Sequence, residues 1–173
     1  PDQSALLVYG TMVVGDNLES DPLQTYHCGG STDDQPFAKI LEVAQTLRVD
    51  MVRLVLETLQ EDGTADPTLR RLGEVLQVAP AGFVGTYLTN GRNGPGRPVV
   101  LRSITALAVN LYGPRAEEFQ SEALMKLDLG PGRLPALLVF ASEDPNQFKS
   151  THGTDLLAFF AGVFERAMRR WLG

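Results

Sequence analysis

The stretch Pro135-Ala136-Leu137-Leu138-Val139-Phe140-Ala141 decides the fold. It has no polar alternation, so a strand built from it must bury both faces, which predicts a central place in a sheet covered on two sides. The segment before it, Ala123-Leu124-Met125-Lys126-Leu127-Asp128-Leu129, alternates from Met125 onward and predicts a strand with one dry and one wet face. Gly130-Pro131-Gly132-Arg133 between them is too short for a crossover helix, so the two strands are expected to form an antiparallel hairpin.

Beyond Ser142-Glu143-Asp144-Pro145 the apolar period lengthens to about 3.6 residues. Leu156, Leu157, Phe160, Val163, Phe164, Ala167, Met168 and Trp171 make a wide stripe and predict a long terminal helix docked on the sheet. Thr151 or Thr154 can cap its start, Asp155 suits the positive end of the helix dipole, and Arg169 and Arg170 suit the negative end.

Upstream, Phe37, Ile40, Leu41, Val43, Ala44 and Leu47 follow helical spacing, with Asp33 or Asp34 as cap and Pro36 in the first turn. A strand from Val49 to Glu57 follows, placing Val52, Leu54 and Leu56 on one face. Then come a polar turn from Glu61 to Pro67, an edge-like strand from Leu72 to Val78, a short helix over Phe83 to Leu88, and an irregular loop from Asn90 to Gly96. Val99 to Ile104 reads as a strand, and Ala106 to Tyr112 as a short helix stopped by Gly113 and Pro114. This order describes an α+β fold, an antiparallel sheet of five to six strands with helices on both faces. Residues 1–35, broken by Gly10, Gly15, Pro22, Gly29 and Gly30, read as a helical or irregular segment ahead of a domain spanning 36–173.

At 173 residues the chain is the size of one domain, and its 43% hydrophobic and 21% charged content is that of a globular protein. Lys and Arg number 15 against 21 Asp and Glu, which argues against nucleic-acid and anionic-membrane partners. The basic group Arg166, Arg169 and Arg170 is explained by the end of a helix. Cys28 is the sole cysteine, so no intramolecular disulfide can form, and a cytoplasmic location is the simplest expectation. No apolar run approaches the roughly 20 residues of a membrane span, and no leader pattern is legible. A start at Pro1 without an initiator Met reads as a trimmed part of a longer product.

Several of these segments carry a resemblance. They are Leu47-Arg48-Val49-Asp50 running into Val52 to Glu57, Ser121-Glu122-Ala123-Leu124, and Leu137 to Pro145 with Phe148, followed by Gly153-Thr154 entering a helix that ends Glu165-Arg166 and Trp171-Leu172. Together they resemble the bacterial domain of unknown function family 484 (DUF484), from about Pro36 to Leu172. The resemblance implies a GAF-like domain, a sheet flanked by terminal helices on one side and by short helices that can close a small-molecule pocket on the other. It also implies a homodimer through terminal helices, with residues 1–35 as a candidate dimerisation arm. That arm departs from the uninterrupted helix usual in the family. No reaction is implied, only a binding or regulatory role.

The chemistry-bearing residues fit that expectation. His27, Cys28 and His152 are too few and too badly spaced for a zinc site, so no metal is expected. Ser142, His152 and Asp155 could be drawn as a hydrolase triad, but Ser142 lacks a nucleophile-elbow setting. Ser142 and Asp144 read instead as turn formers. Gly91, Gly94 and Gly96 lack the lysine and following helix of a phosphate loop. The candidate ligand-binding residues are Tyr87, Arg102, Tyr112 and Ser121, sparse polar groups in or beside the layer from Pro80 to Gln120. The expectation is therefore a non-catalytic GAF-like sensory or binding domain for a small molecule whose identity, like that of any cofactor, is unknown. The alternatives are a ligand-free protein-interaction module, with the layer filled by Phe83, Tyr87 and Phe119, and the small hydrolase.

Overall fold

The structure, a computed structural model, describes residues 36–59 and 75–172. The polar turn at Glu61 to Pro67, the first residues of the expected edge strand, the arm over 1–35 and with it His27 and Cys28 lie outside the described residues. So do the side chains of Phe37, Leu41 and Trp171. In chain order the elements are α1 (Pro36–Leu47), β1 (Met51–Thr58), β2 (Leu76–Pro80), α2 (Phe83–Thr89) and β3 (Val99–Ser103). A 3-10 turn at Ala106–Ala108 leads into α3 (Val109–Tyr112), and a second at Gly113–Glu118 leads into β4 (Ser121–Leu127), β5 (Ala136–Ser142) and α4 (Asp155–Leu172).

The sheet has five strands in the order β2-β1-β5-β4-β3. β5 is its middle strand, buried along its whole length and flanked by antiparallel neighbours on both sides. That is the position its uninterrupted apolar run requires. The sheet departs from an all-antiparallel one at its far edge, where β2 pairs with β1 in parallel, Leu54 against Leu76 through Thr58 against Pro80. The connection over 59–75 exceeds the dozen or so residues a crossover needs, so the parallel pairing is geometrically open to the chain.

One face of the sheet is covered by α1 and α4. Ile40 and the α4 line Leu157, Phe160, Ala161, Phe164 and Met168 close over Leu54, Ala123, Met125, Leu138 and Phe140. The opposite face is covered by α2, α3 and Phe119, which pack Val84, Tyr87, Leu88, Leu111 and Tyr112 on Val55, Leu124, Leu137 and Val139. Helices on both faces are thus as expected.

Two expectations are corrected. β4 is not half wet: it begins at Ser121, Glu122 and Leu124 are fully buried, and only Lys126 is exposed. The reason is that α2 and α3 roof the face that alternation had assigned to water. The apolar stripe of α4 is also narrower than its sequence suggests. Leu157, Phe160, Phe164 and Met168 are buried, whereas Leu156 and Val163 face outward with Phe159, because the helix docks through the line that includes Ala161 and turns the other edge of its stripe to solvent.

Polar contacts lock the ends of this core. Arg169 on α4 donates through Nε to the Asp128 carbonyl at 2.7 Å and pairs through Nη2 with the Asp128 carboxylate at 2.9 Å. Glu165 accepts the Asp128 N–H at 2.9 Å. The helix end thereby grips the β4–β5 turn, where Gly130 and Gly132 adopt left-handed φ values of 104° and 75° that favour glycine.

Phe164 is 1% exposed and stacks on Phe160 at 6.3 Å between ring centroids. Phe164→Ala is expected to cost about 3–5 kcal/mol of unfolding free energy, measurable as a drop in the urea midpoint; a loss below about 1 kcal/mol would mean that α4 is not integral to the core.

Candidate functional site

The side of the sheet facing α2 and α3 carries a buried charge. Glu122 is 0% exposed, and a carboxylate so placed must be neutralised or fully hydrogen-bonded. Both conditions hold. Its Oε1 accepts from Arg102 Nε at 2.8 Å, and its Oε2 accepts the hydroxyls of Tyr87 at 2.9 Å and Tyr112 at 2.6 Å.

Backbone geometry explains how these groups meet. Arg102 and Glu122 are direct partners in the antiparallel β3–β4 register and so share one face of the sheet. Tyr87 lies with Val84 and Leu88 on the inward side of α2 at helical spacing. The sheet itself holds that short helix, since Glu57 on β1 accepts the N–H groups of Gly82 at 3.0 Å and Val84 at 2.6 Å. A carboxylate at a helix start satisfies donors that have no partner within the helix and complements its dipole.

Tyr112 ends α3, whose carbonyls are tied to the sheet in turn. Arg53 donates to the Leu111 carbonyl and, at 3.3 Å, to Gln77 Oε1, while Gln77 Nε2 donates to the Asn110 carbonyl at 2.9 Å. The Tyr112 ring packs against Phe119 at 5.1 Å, and Arg102 lies over the Tyr87 ring at 4.9 Å from its centroid. Phe83 stacks on the other part of the cluster, 5.7 Å from Tyr87.

Burial first, and then the charge of Glu122 with its hydrogen bond, push both phenols well above the ordinary tyrosine range. Arg102 opposes this at Tyr87. At neutral pH both tyrosines are therefore protonated donors, fit to hold a carboxylate and not to act as bases.

Arg102 is the member with capacity left. Its side chain is 14% exposed, and Nη1 reaches the Leu88 carbonyl at a long 3.4 Å. Nη2 is buried and has no hydrogen-bond partner among the described residues.

Three of the four candidate residues, Tyr87, Arg102 and Tyr112, are thus brought together, though around an internal carboxylate. Ser121 is not with them. Adjacent residues of a strand point to opposite faces, and its hydroxyl donates to the Asp144 carbonyl at 2.6 Å while accepting the Phe148 N–H at 3.3 Å. Glu122 was missed because the strand was read as starting at Ala123. With a start at Ser121, the period of two would have put Glu122 beside Leu124 on the inward face and opposite Arg102.

The Ser142 to Pro145 segment is a turn built on side-chain oxygens, as its residue types suggest. Ser142 Oγ donates to Asp50 at 2.9 Å and accepts the Asp144 N–H at 3.1 Å, and Asp144 Oδ1 accepts the Asn146 N–H at 2.8 Å. Its hydroxyl is engaged with Asp50, and no hydrogen bond among the described residues joins Ser142, His152 and Asp155. Among those residues no group of three His, Cys, Asp or Glu could hold a metal ion, and no helix is long and apolar enough to cross a membrane.

Both phenols resist ionisation in the folded state, so the stability they contribute is fully present below the ordinary tyrosine pKa of about 10. It is withdrawn as pH rises above that value, by about 1.4 kcal/mol per pH unit for each phenol. Urea unfolding followed from neutral pH upward should show this decline. Tyr112→Phe should lower stability by about 3 kcal/mol at neutral pH, because it leaves the buried carboxylate one donor short, and halve the alkaline slope; an unchanged slope would remove Tyr112 from the cluster.

No curated protein matches the chain. Residues 90–173 match the model of the family described as "Protein of unknown function, DUF484". The matched stretch holds β3, α3, β4, β5 and α4, and with them Arg102, Tyr112 and Glu122, while β1, β2 and Tyr87 precede it. The resemblance read from the segments of the sequence therefore stands over the C-terminal part of the chain, which is similar to the DUF484 family.

Proposed function

We propose that the chain is a non-catalytic GAF-like binding domain that takes a small ligand at the Arg102 end of the Glu122 cluster. The observation that carries this reading is the buried Nη2 of Arg102, which lacks an acceptor among the described residues. A buried donor left unsatisfied costs about 1–3 kcal/mol, and native folds rarely leave one so. A ligand oxygen in hydrogen-bond reach of Nη2 would remove that cost.

The neighbouring charges select the ligand's chemistry. Glu122 sits 2.8 Å from Arg102 Nε and neutralises the guanidinium, so a second anion would meet the carboxylate without a cation to spare. A neutral acceptor, such as an amide carbonyl or a hydroxyl, fits better. The Phe83 and Tyr87 rings beside it offer apolar surface for the rest of such a molecule.

The ligand-free interaction module is a second reading, favoured by the packing of the layer. Tyr87, Tyr112 and Phe119 are 1%, 3% and 2% exposed and fill the space above the sheet.

Native mass spectrometry of the purified chain separates the two. The binding reading expects a copurifying small molecule, or a neutral metabolite from a thermal-shift screen, that raises the melting temperature of the wild type and not of Arg102→Lys. That substitution keeps the charge beside Glu122 and deletes the guanidinium fork. A folded wild type with no adduct and no stabilising compound would overturn the binding reading in favour of the interaction module.

A further inference from the structure

The apolar stripe of α4 is wider than the part the fold uses. Leu157, Phe160, Ala161, Phe164 and Met168 are buried against the sheet, while Leu156 and Phe159 are 68% and 70% exposed and Val163 is 38% exposed. At about 100° per residue, Leu156, Phe159 and Val163 fall within some 60° of one another, on the solvent-facing edge of the stripe that adjoins Phe160. Three large apolar side chains aligned along one helix face differ from apolar residues scattered singly over a surface. Gly162 borders the ridge, and a Cβ placed there would meet nothing within 4 Å, so a second backbone can come close.

The charges on the same face point to the occupant. Continuing the ridge toward the helix end brings Arg166 and Arg170 into line with it, both exposed, and Asp155 stands exposed at the helix start. A second α4 laid antiparallel about residue 161 sets Phe159 against Val163 of the other copy, and Val163 against its Phe159. With a rise of about 1.5 Å per residue, Asp155 lies about 9 Å to one side of the midpoint and Arg166 about 7.5 Å to the other. Each Asp155 therefore falls beside Arg166 and Arg170 of the other helix, twice over by symmetry. A parallel pair would oppose arginine to arginine and aspartate to aspartate. The antiparallel pair also places each positive helix end beside a negative one.

We infer that the Leu156–Phe159–Val163 ridge is a self-association surface, on which α4 of a second copy of this chain packs antiparallel, with Asp155 facing Arg166 and Arg170 across the twofold axis. This inference is independent of the ligand reading, since neither Arg102 nor Glu122 lies on α4.

Sedimentation of the full chain over a range of concentrations tests it. The wild type is expected to dimerise reversibly. Phe159→Glu with Val163→Glu should weaken the dimer by about tenfold or more while leaving the circular dichroism spectrum and melting temperature of the monomer intact, because both side chains are already exposed. Arg166→Glu with Arg170→Glu should weaken it as well, and adding Asp155→Lys should restore it, a recovery that a general loss of folding could not produce. A chain that is monomeric throughout, as it would be if residues 1–35 or a different protein covered the ridge, overturns the inference. So does a dimer that survives the double glutamate substitution, or a charge reversal that fails to rescue.

Discussion

A carboxylate shut inside the domain governs the arrangement of one whole layer. Glu122 can remain there only while donors from three separate elements converge on it: Tyr87 from α2, Arg102 from β3 and Tyr112 from α3. Withdrawing any one leaves a buried charge under-compensated, which costs far more than the net worth of the contact itself. The cluster thus dictates where two short helices sit relative to the sheet. Apolar burial alone would hold them less specifically, because greasy surfaces can slide.

The helices need such external direction. α2 spans seven residues and α3 four, lengths at which an isolated helix does not persist in water. Side chains rooted in the sheet supply what they lack: Glu57 meets the free N–H groups at the start of α2, and Arg53 and Gln77 meet carbonyls of α3. The other layer is held differently. α4 is eighteen residues long and strongly two-sided, and it docks through a continuous apolar line with polar contacts confined to its end.

This contrast explains what could be read from the residues. β5 was legible because an unbroken apolar run has one stable destination, and most of α4 was legible because its period is sustained over several turns. The direction of β2 was not, since parallel and antiparallel edge strands share the same composition and differ only in how the connection returns. The exposure of Leu156 and Val163 was hidden because a wide stripe does not announce which of its edges will dock. The polar cluster was half visible. Tyr87, Arg102 and Tyr112 stood out as polar groups in an apolar layer, but the anion that unites them lay one residue outside the strand as read. Buried carboxylates carry no local signature and are revealed only by strand register. Ser121, one position away from Glu122, was assigned to the same layer and belongs to the opposite face for the same reason.

The strand order carries a last consequence, for synthesis. β1 lies beside β5, with Met51 opposite Ala141 and Leu56 opposite Ala136, although most of the domain separates them along the chain. β4, which carries Glu122, likewise borders β5. A nascent polypeptide that has not yet delivered residue 142 to the outside of the ribosome therefore owns two unconnected fragments of sheet, β2 with β1 and β3 with β4, and no spine to join them. The molecule cannot close before β5 has emerged, and until then the apolar sides of four strands depend on whatever the cell provides to shield them.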